Sequence, residues 1–459
     1  MSTKDLKGLA NLLARLDAAA PIVARRDMYY RGRQPLRFMV DEVDEQLSGF
    51  NVNLCRVAVQ ALAERLRVTG FDVKVDGRDV SDRAWELWRQ SNMDMLLGPL
   101  LADALALGSA YLIPWVDGAG RAVITGETAD HVAVEYDPIT GGVIAAVKRW
   151  QVTDANGVVV EEHAVKYLPT RIVHLRKSAA TGRYAFVSAV DNPLGVVPVV
   201  PLINVDRVGD RVGYSVIDDM APLVDALSKL MADMLTASEA VARPRRWATG
   251  VNLEDDEDSG FMVDAPGDDG FMVDGPVPPA PAGREPDAVK SPFADDNRMM
   301  VSEDPASKFG QLPGADLKGY QTAADLILQQ IMAVSALPAH MAGVTTSNPA
   351  TAEAMRASES SLTTRGEHSI RVFDAPVEWA VRLLVAIDEG VSPDRVEAAA
   401  RWADPATRSV AQEADAAVKL HADGLLSRDE ARQRVGIDPT TTNDEGAAPV
   451  AADVEGDDQ

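Results

Sequence analysis

The sequence predicts an α+β protein that is predominantly helical, and three patterns carry that expectation. Apolar residues recur at spacings of three and four up to about Gly108, and again beyond about Ile217. Between Ala110 and Val205 the period drops to two, in short runs rich in Val, Ile and aromatics. From about Arg243 to Gly314 neither period holds, and acidic and proline residues take over. At 459 residues the chain exceeds what one hydrophobic core usually supports, so two or three folding units are expected.

The part before Gly108 reads as helical throughout. Leu6, Leu9, Leu13 and Leu16 make one stripe, and Val52, Cys55, Val59, Leu62 and Leu66 make another behind Asn51 as a candidate N-cap. Ser81 opens a third helix with Trp85 and Trp88 on one side, and Met95 to Leu107 makes a fourth. Strands are expected at Tyr111 to Val116, His131 to Tyr136, Val143 to Val152, Val158 to Ala164 and Arg171 to Leu175. Asp137-Pro-Ile-Thr-Gly-Gly142 and Asp154-Ala-Asn-Gly157 supply turns between them. An α+β unit from about residue 20 to 210 follows.

Two longer helices have a different pattern. Ile217, Met220, Val224, Leu227, Met231, Met234 and Val241 repeat at threes and fours, the two-in-seven seam of a helix packed against long neighbours. Leu317, Tyr320, Ala324, Ile327, Ile331 and Val334 repeat it. Ordinary packing within a helical domain would leave the same spacing. At about 1.5 Å per residue the first would be roughly 35 Å long, with some loss near Pro222. The second runs into Pro338, a polar Gly343 to Pro349 loop follows, and another long helix begins at Ala350 and reaches about Ile387, with a kink expected near Pro376. Two helices bracketing a short polar loop suggest a part that touches something rather than transforms it. Shorter helices are expected near Thr407 to Ala422 and Arg428 to Val435.

Arg243, Arg245 and Arg246 with Trp247 form a small basic and aromatic patch. No Lys or Arg occurs from there to Gly283, while nine carboxylates do, and Gly260-Phe-Met-Val-Asp264 recurs as Gly270-Phe-Met-Val-Asp274. A solvated loop accounts for this composition. Asp264, Asp268, Asp269 and Asp274 could supply oxygens to a metal, but their spacing does not match a calcium loop. No metal or cofactor is therefore expected. After Arg434 the chain has no basic residue, and its acidic end is expected to stay disordered.

Charge and motif content exclude several classes of function. The formal net charge is −25, from 45 Lys+Arg against 70 Asp+Glu, which disfavours static adhesion to nucleic acid or anionic lipid. Cys55 is the single cysteine, so no internal disulfide or cysteine-based zinc cluster can form, and a reducing compartment is expected. No apolar run reaches about 18 residues and no signal-peptide core follows Lys4, Asp5 and Lys7, so neither membrane spanning nor export is expected. There is no phosphate-binding loop, no His-Glu-x-x-His and no Gly-x-Ser-x-Gly. His131, His163, His174, His340, His368 and His421 lack metal-ligand spacing, and Asp218-Asp219 and Asp295-Asp296 fit cap and loop roles. The chain is not expected to be an enzyme.

Met28-Tyr-Tyr-Arg-Gly-Arg-Gln-Pro-Leu36, Asn51-Val-Asn-Leu through Glu64-Arg-Leu-Arg-Val-Thr-Gly-Phe71, Trp88-Arg-Gln-Ser-Asn92, Gly108-Ser-Ala-Tyr111, Ala221-Pro-Leu-Val-Asp-Ala226 and Leu337-Pro-Ala-His-Met-Ala-Gly343 with Asn348-Pro-Ala-Thr-Ala-Glu353 resemble the portal proteins of long-tailed double-stranded-DNA bacteriophages. Their order covers most of residues 5 to 435. The resemblance implies a ring of identical subunits, dodecameric in the virion, at one capsid vertex, with double-stranded DNA passing through its channel during packaging and ejection. It implies a portal fold divided as follows: N-terminal helices and wing, 1–215; first stem helix, 216–241; clip, 242–315; second stem helix, 316–338; tunnel loop, 339–349; a long kinked wing helix, 350–400; crown helices, 401–440; acidic tail, 441–459.

By the same resemblance, Val344, Thr345, Thr346, Ser347 and Asn348 would lie nearest the DNA. Val224, Leu227, Met231, Tyr320, Ile327 and Ile331 would pack the stem, and Arg243, Arg245 and Arg246 would belong to the clip. Implied partners are the terminase motor, the major capsid and scaffolding proteins, and the head–tail connector (adaptor) proteins. The implied location is the virion, with the host cytoplasm during assembly. Two other readings stay open: a virion ring or scaffold protein without a DNA channel, and a metal-dependent hydrolase using the carboxylates of 242–315.

Overall fold

The computed structural model describes residues 8–35, 51–178, 181–210, 212–242, 246–249, 306, 308–311, 318–344, 352–406, 410–428 and 431–432. The chain divides into two compact units, residues 1–230 with 322–459, and residues 231–321.

The first unit opens with α1 (Leu9–Arg31), α2 (Leu54–Ala63), β1 (Val68–Val75), β2 (Arg78–Asp79), α3 (Ser81–Gln90) and α4 (Met93–Leu107). Three sequence expectations need correction here. Leu12, not Leu13, completes the fully buried stripe of α1 with Leu9 and Leu16. Asn53, not Asn51, caps α2: its side chain accepts from Arg56 N at 3.3 Å, while Asn51 donates to Gln34 O at 3.0 Å. Residues 68–75 form a strand rather than helix, because Phe71, Val73 and Val75 alternate into the core.

Next come β3 (Ser109–Val116), β4 (Ala122–Thr128), β5 (Val132–Tyr136), β6 (Val143–Thr153), β7 (Val159–Tyr167), β8 (Arg171–Lys177), β9 (Tyr184–Asp191) and β10 (Val200–Ile203). Strands β5 to β9 make one antiparallel sheet in chain order. Alternation along them builds two cores. One face sets Val132, Val134, Ala146, Val165 and Ile172 against Tyr111, Ile113, Val197 and Val199. The other sets Ala145, Val147, Ala164, Val173 and Leu175 against the leucines of α1. Asp137 and Asp154 close their hairpins by accepting backbone N–H groups, as the turn residues foretold. β4, β9 and β10 were absent from the sequence reading.

α5 (Val216–Ala242) leaves this unit for the second, where β11 (Arg246–Thr249) pairs antiparallel with β12 (Lys308–Gln311). α6 (Lys318–Ser335) returns to the first unit. α7 (Ala352–Glu389), a 3-10 turn (Pro393–Arg395), β13 (Val396–Trp402) and α8 (Val410–Ala422) complete the described elements. The long helix expected over 350–400 is therefore shorter, and a strand follows it. α7 stops at Glu389, where Gly390 takes a positive φ of 63°, and residues 396–402 pair with β1. Trp402 Nε1 donates to Asp374 at 2.7 Å and Ala400 N to Glu378 at 3.1 Å, so β13 is strapped to the helix it follows.

One backbone contact sets where α5 begins. The exposed carbonyls at the end of α4 are taken up by side chains: Ser215 donates to Ala106 O and Arg26 to Leu107 O. Arg26 also pairs with Asp218, and Tyr29 donates to Asp225 at 2.8 Å. The acidic pair Asp218-Asp219 is thus structural, since Asp219 accepts from Tyr214. This packing brings two glycines back to back. A Cβ on Gly213, whose φ is +83°, would sit 1.9 Å from Gly108 O. Gly213→Ala is therefore expected to cost about 3 kcal/mol in a urea titration. Gly209→Ala, with φ +102° but open space around it, should cost only about 1 kcal/mol. Equal losses would show that strain, not the Gly108 contact, sets the cost.

Candidate functional site: the turn after α6 and its seat

The segment that sequence reasoning placed nearest to a ligand leaves α6 at Ser335, and the chain fixes that departure closely. Ser335 is buried. Its hydroxyl donates to Ile331 O at 2.7 Å and accepts from Leu337 N at 3.3 Å, while Ala336 adopts a positive φ of 57°. Such a conformation costs a residue with a Cβ about 1 kcal/mol, and here the flanking buried Leu337 and Pro338 hold it. A compact turn follows, with Met341 N donating to Pro338 O at 3.0 Å and Val344 N to Ala339 O at 3.0 Å; Gly343 reverses the chain at φ 78°.

Three side chains, two from α7 and one just past α2, hold this turn from beneath. Glu359 of α7 is only 8% exposed, and burial of a lone carboxylate would be prohibitive. Arg65, just past α2, donates to it at 3.0 Å, and His340 Nε2 lies 3.4 Å from its other oxygen. Arg65 also donates to Ala61 O at 2.8 Å. Arg365, a turn and a half along α7, donates to Val334 O at 2.7 Å and so satisfies a carbonyl at the C-terminal end of α6. Nearby, burial and then the hydrogen bond to Asp219 raise the Tyr214 hydroxyl's pKa, with Arg365 acting in the opposite direction.

Charge is sparse along this stretch. No Lys or Arg occurs between Lys318 and Arg356, and Thr322, Asp325, Leu326, Gln329, Gln330 and Ala333 are the solvent-exposed positions on most of α6. Among the described residues no group of His, Cys, Asp or Glu is placed to hold a metal. The arrangement fixes a backbone path.

Of the residues singled out from sequence, Val224, Leu227 and Ile331 are fully buried within the first unit. Met231, Tyr320 and Ile327 are half-buried. Val344 is half-buried at the end of the turn, and Thr345, Thr346, Ser347 and Asn348 lie outside the described residues. Arg246 begins β11, whereas Arg243 and Arg245 lie outside, as do the carboxylates Asp264, Asp268, Asp269 and Asp274, the paired Asp295-Asp296 and the acidic tail. Sequence reasoning missed Glu359, Arg65 and Arg365. The signal was present: Glu359 shares a buried stripe with Leu362, Gly366, Ser369 and Phe373, and a carboxylate on such a stripe demands a partner.

Residues 9–445 match the family model of phage portal proteins of the SPP1 Gp6-like type. The portal protein of Mycobacterium phage D29 is 28% identical over 400 residues, covering 84% of this chain and 76% of that one. The portal protein of Mycobacterium phage L5 is 27% identical over 438 residues, covering 92% and 83%. Among solved structures, a chain from the virion of a native gene transfer agent particle gives a TM-score of 0.42 at 16% identity, covering 91% of this chain and 99% of that one. A chain from the neck of the empty particle gives 0.44 at 16% identity, covering 88% and 96%.

Removing the buried carboxylate tests the seat. Glu359→Ala strands Arg65 in a poorly solvated position and is expected to cost about 3 kcal/mol in thermal unfolding. Hydrogen exchange at residues 339–344 should rise with it. Unchanged stability and exchange would show that the turn is held by other contacts.

Proposed function

The chain belongs to the SPP1 Gp6-like family of phage portal proteins, a family of virion components, and on that premise we propose that its copies close into a ring, dodecameric in the virion, whose axis carries double-stranded DNA. The observation that carries this reading is the seated turn after α6: a segment with a fixed point of departure, set in a stretch with no Lys or Arg between Lys318 and Arg356, and running on in sequence to Thr345, Thr346, Ser347 and Asn348.

Duplex DNA presents about one negative charge per 1.7 Å, and a protein that neutralises six to ten phosphates grips it in a salt-dependent way. A conduit needs the opposite property. Hydroxyl and amide groups touch the backbone without releasing counterions, so the duplex slides past them. The narrow apolar seams of α5 and α6 suit helices that pack side by side around an axis, with Met231, Tyr320 and Ile327 the half-buried positions left to meet neighbours. Residues 1–215 with 350–400 would then form the wing, 216–241 and 316–338 the stem, 242–315 the clip, and 401–440 the crown. The clip, including Arg243, Arg245 and Arg246, would face the terminase during packaging and the head–tail connector afterwards. Capsid and scaffolding proteins would surround the ring, which would assemble in the host cytoplasm. No catalytic role is part of this reading.

Replacing Thr345, Thr346 and Ser347 together with lysine should create phosphate contacts on every subunit. Packaged DNA per particle is expected to fall by about tenfold or more at low salt and to recover partly as ionic strength rises. Electron microscopy should show rings as in the wild type. Normal packaging by intact variant rings would mean that this segment does not approach the DNA.

A further inference from the structure

Two parts of the five-stranded sheet are left open in a way that monomers ordinarily avoid. β9 is its terminal strand, with no strand on its outer side among the described residues. It runs for eight residues, Tyr184-Ala-Phe-Val-Ser-Ala-Val-Asp191, with no proline or lysine and a single charge at its end. Phe186, Val187 and Val190 are 42%, 56% and 51% exposed. Exposed, apolar, uncharged edges are templates for pairing, and native edges are usually blunted by charge, proline or shortness.

The second open part is the β6–β7 hairpin. β6 meets β5 only over Val143–Lys148 but meets β7 as far as Thr153. β7 in turn meets β8 only from His163 onward. The hairpin therefore overhangs its neighbours on both sides, and its tip exposes Val152, Val158, Val159 and Val160.

We infer that β9 of one copy docks, strand edge to strand edge, on the overhanging β6–β7 hairpin of the next copy, so that the sheets run on from subunit to subunit. The inference rests on the ring reading given above. Its partner is a second copy because both halves of the contact lie at different places on the same chain, which is the head-to-tail arrangement that generates rings. Local charges agree. Asp154 stands at the hairpin tip, and Arg183, which makes no ion pair among the described residues, stands at the start of β9. Chains of net charge −25 repel at long range, so a contact between copies needs apolar area, backbone hydrogen bonds and such opposite charges at close quarters.

Cysteine trapping tests this on the full chain. Cys55 is fully buried and burial pushes its thiol up to about 12, so it does not compete. Within one chain, Val159 and Val187 are separated by two strand spacings across and about 16 Å along the sheet, beyond the roughly 7 Å that a disulfide spans. Co-expressed Val159→Cys and Val187→Cys chains should give covalent dimers under mild oxidation at the expense of part of the monomer band. The double variant should give a ladder of multimers, and each single variant alone should stay monomeric on a denaturing gel. Rings by electron microscopy without cross-links would overturn the sheet contact and leave the ring standing. Dimers from Val187→Cys alone would overturn it in favour of two β9 strands pairing with each other. Neither rings nor cross-links would overturn both readings together.

Discussion

A carboxylate that is almost wholly out of water must be matched by charge, and Glu359 is matched by Arg65, with the His340 ring 3.4 Å away from another part of the chain. That requirement ties the end of α2, the turn after α6 and the first third of α7 to one point. Arg365 adds a second tie by holding the last turn of α6 through Val334 O. The far end of α7 is pinned too, because Arg83 grips Asp388 with two hydrogen bonds and Arg78 reaches Glu389. A 38-residue helix fixed at both ends connects the seat of the turn to the β1–β13 sheet. The path of the chain into the turn is thus held by polar contacts in a few places as well as by the burial of Leu337 and Pro338.

The same economy of charge runs through the molecule. Cations are spent on internal anions: Arg26 on Asp218, Arg83 on Asp388, Arg149 on Asp17 and Arg395 on Asp76. None lies between Lys318 and Arg356. For a portal protein this is the useful arrangement, since affinity for phosphate would act as drag on a moving duplex. The open edge of β9 and the overhanging valine hairpin are the apolar surfaces on which the proposed self-association rests.

Much of the fold was legible in the sequence, for reasons that differ from element to element. α5 and α6 announced themselves through seams at threes and fours, and the β5–β6 and β6–β7 hairpins through turns that open on Asp137 and Asp154 and close on glycine. β1 and β13 were not legible because their partner lies more than three hundred residues away, and pairing of Val73 with Ala398 leaves no local trace. β9 was missed since exposure on both faces erases the alternation that marks a half-buried strand. At the site, the turn was readable from Pro338 and Gly343, which break helices by known means. Its seat was not, because Arg65, Glu359 and Arg365 come together only through the tertiary fold.

The most direct measurement is single-particle imaging of the purified full chain, combined with native mass determination. A closed ring of identical subunits is expected, with an axial opening wide enough for duplex DNA and the segment after His340 projecting into it. A monomer of 49.1 kDa, or a ring whose axis is filled by ordered side chains in every state, would contradict the conduit.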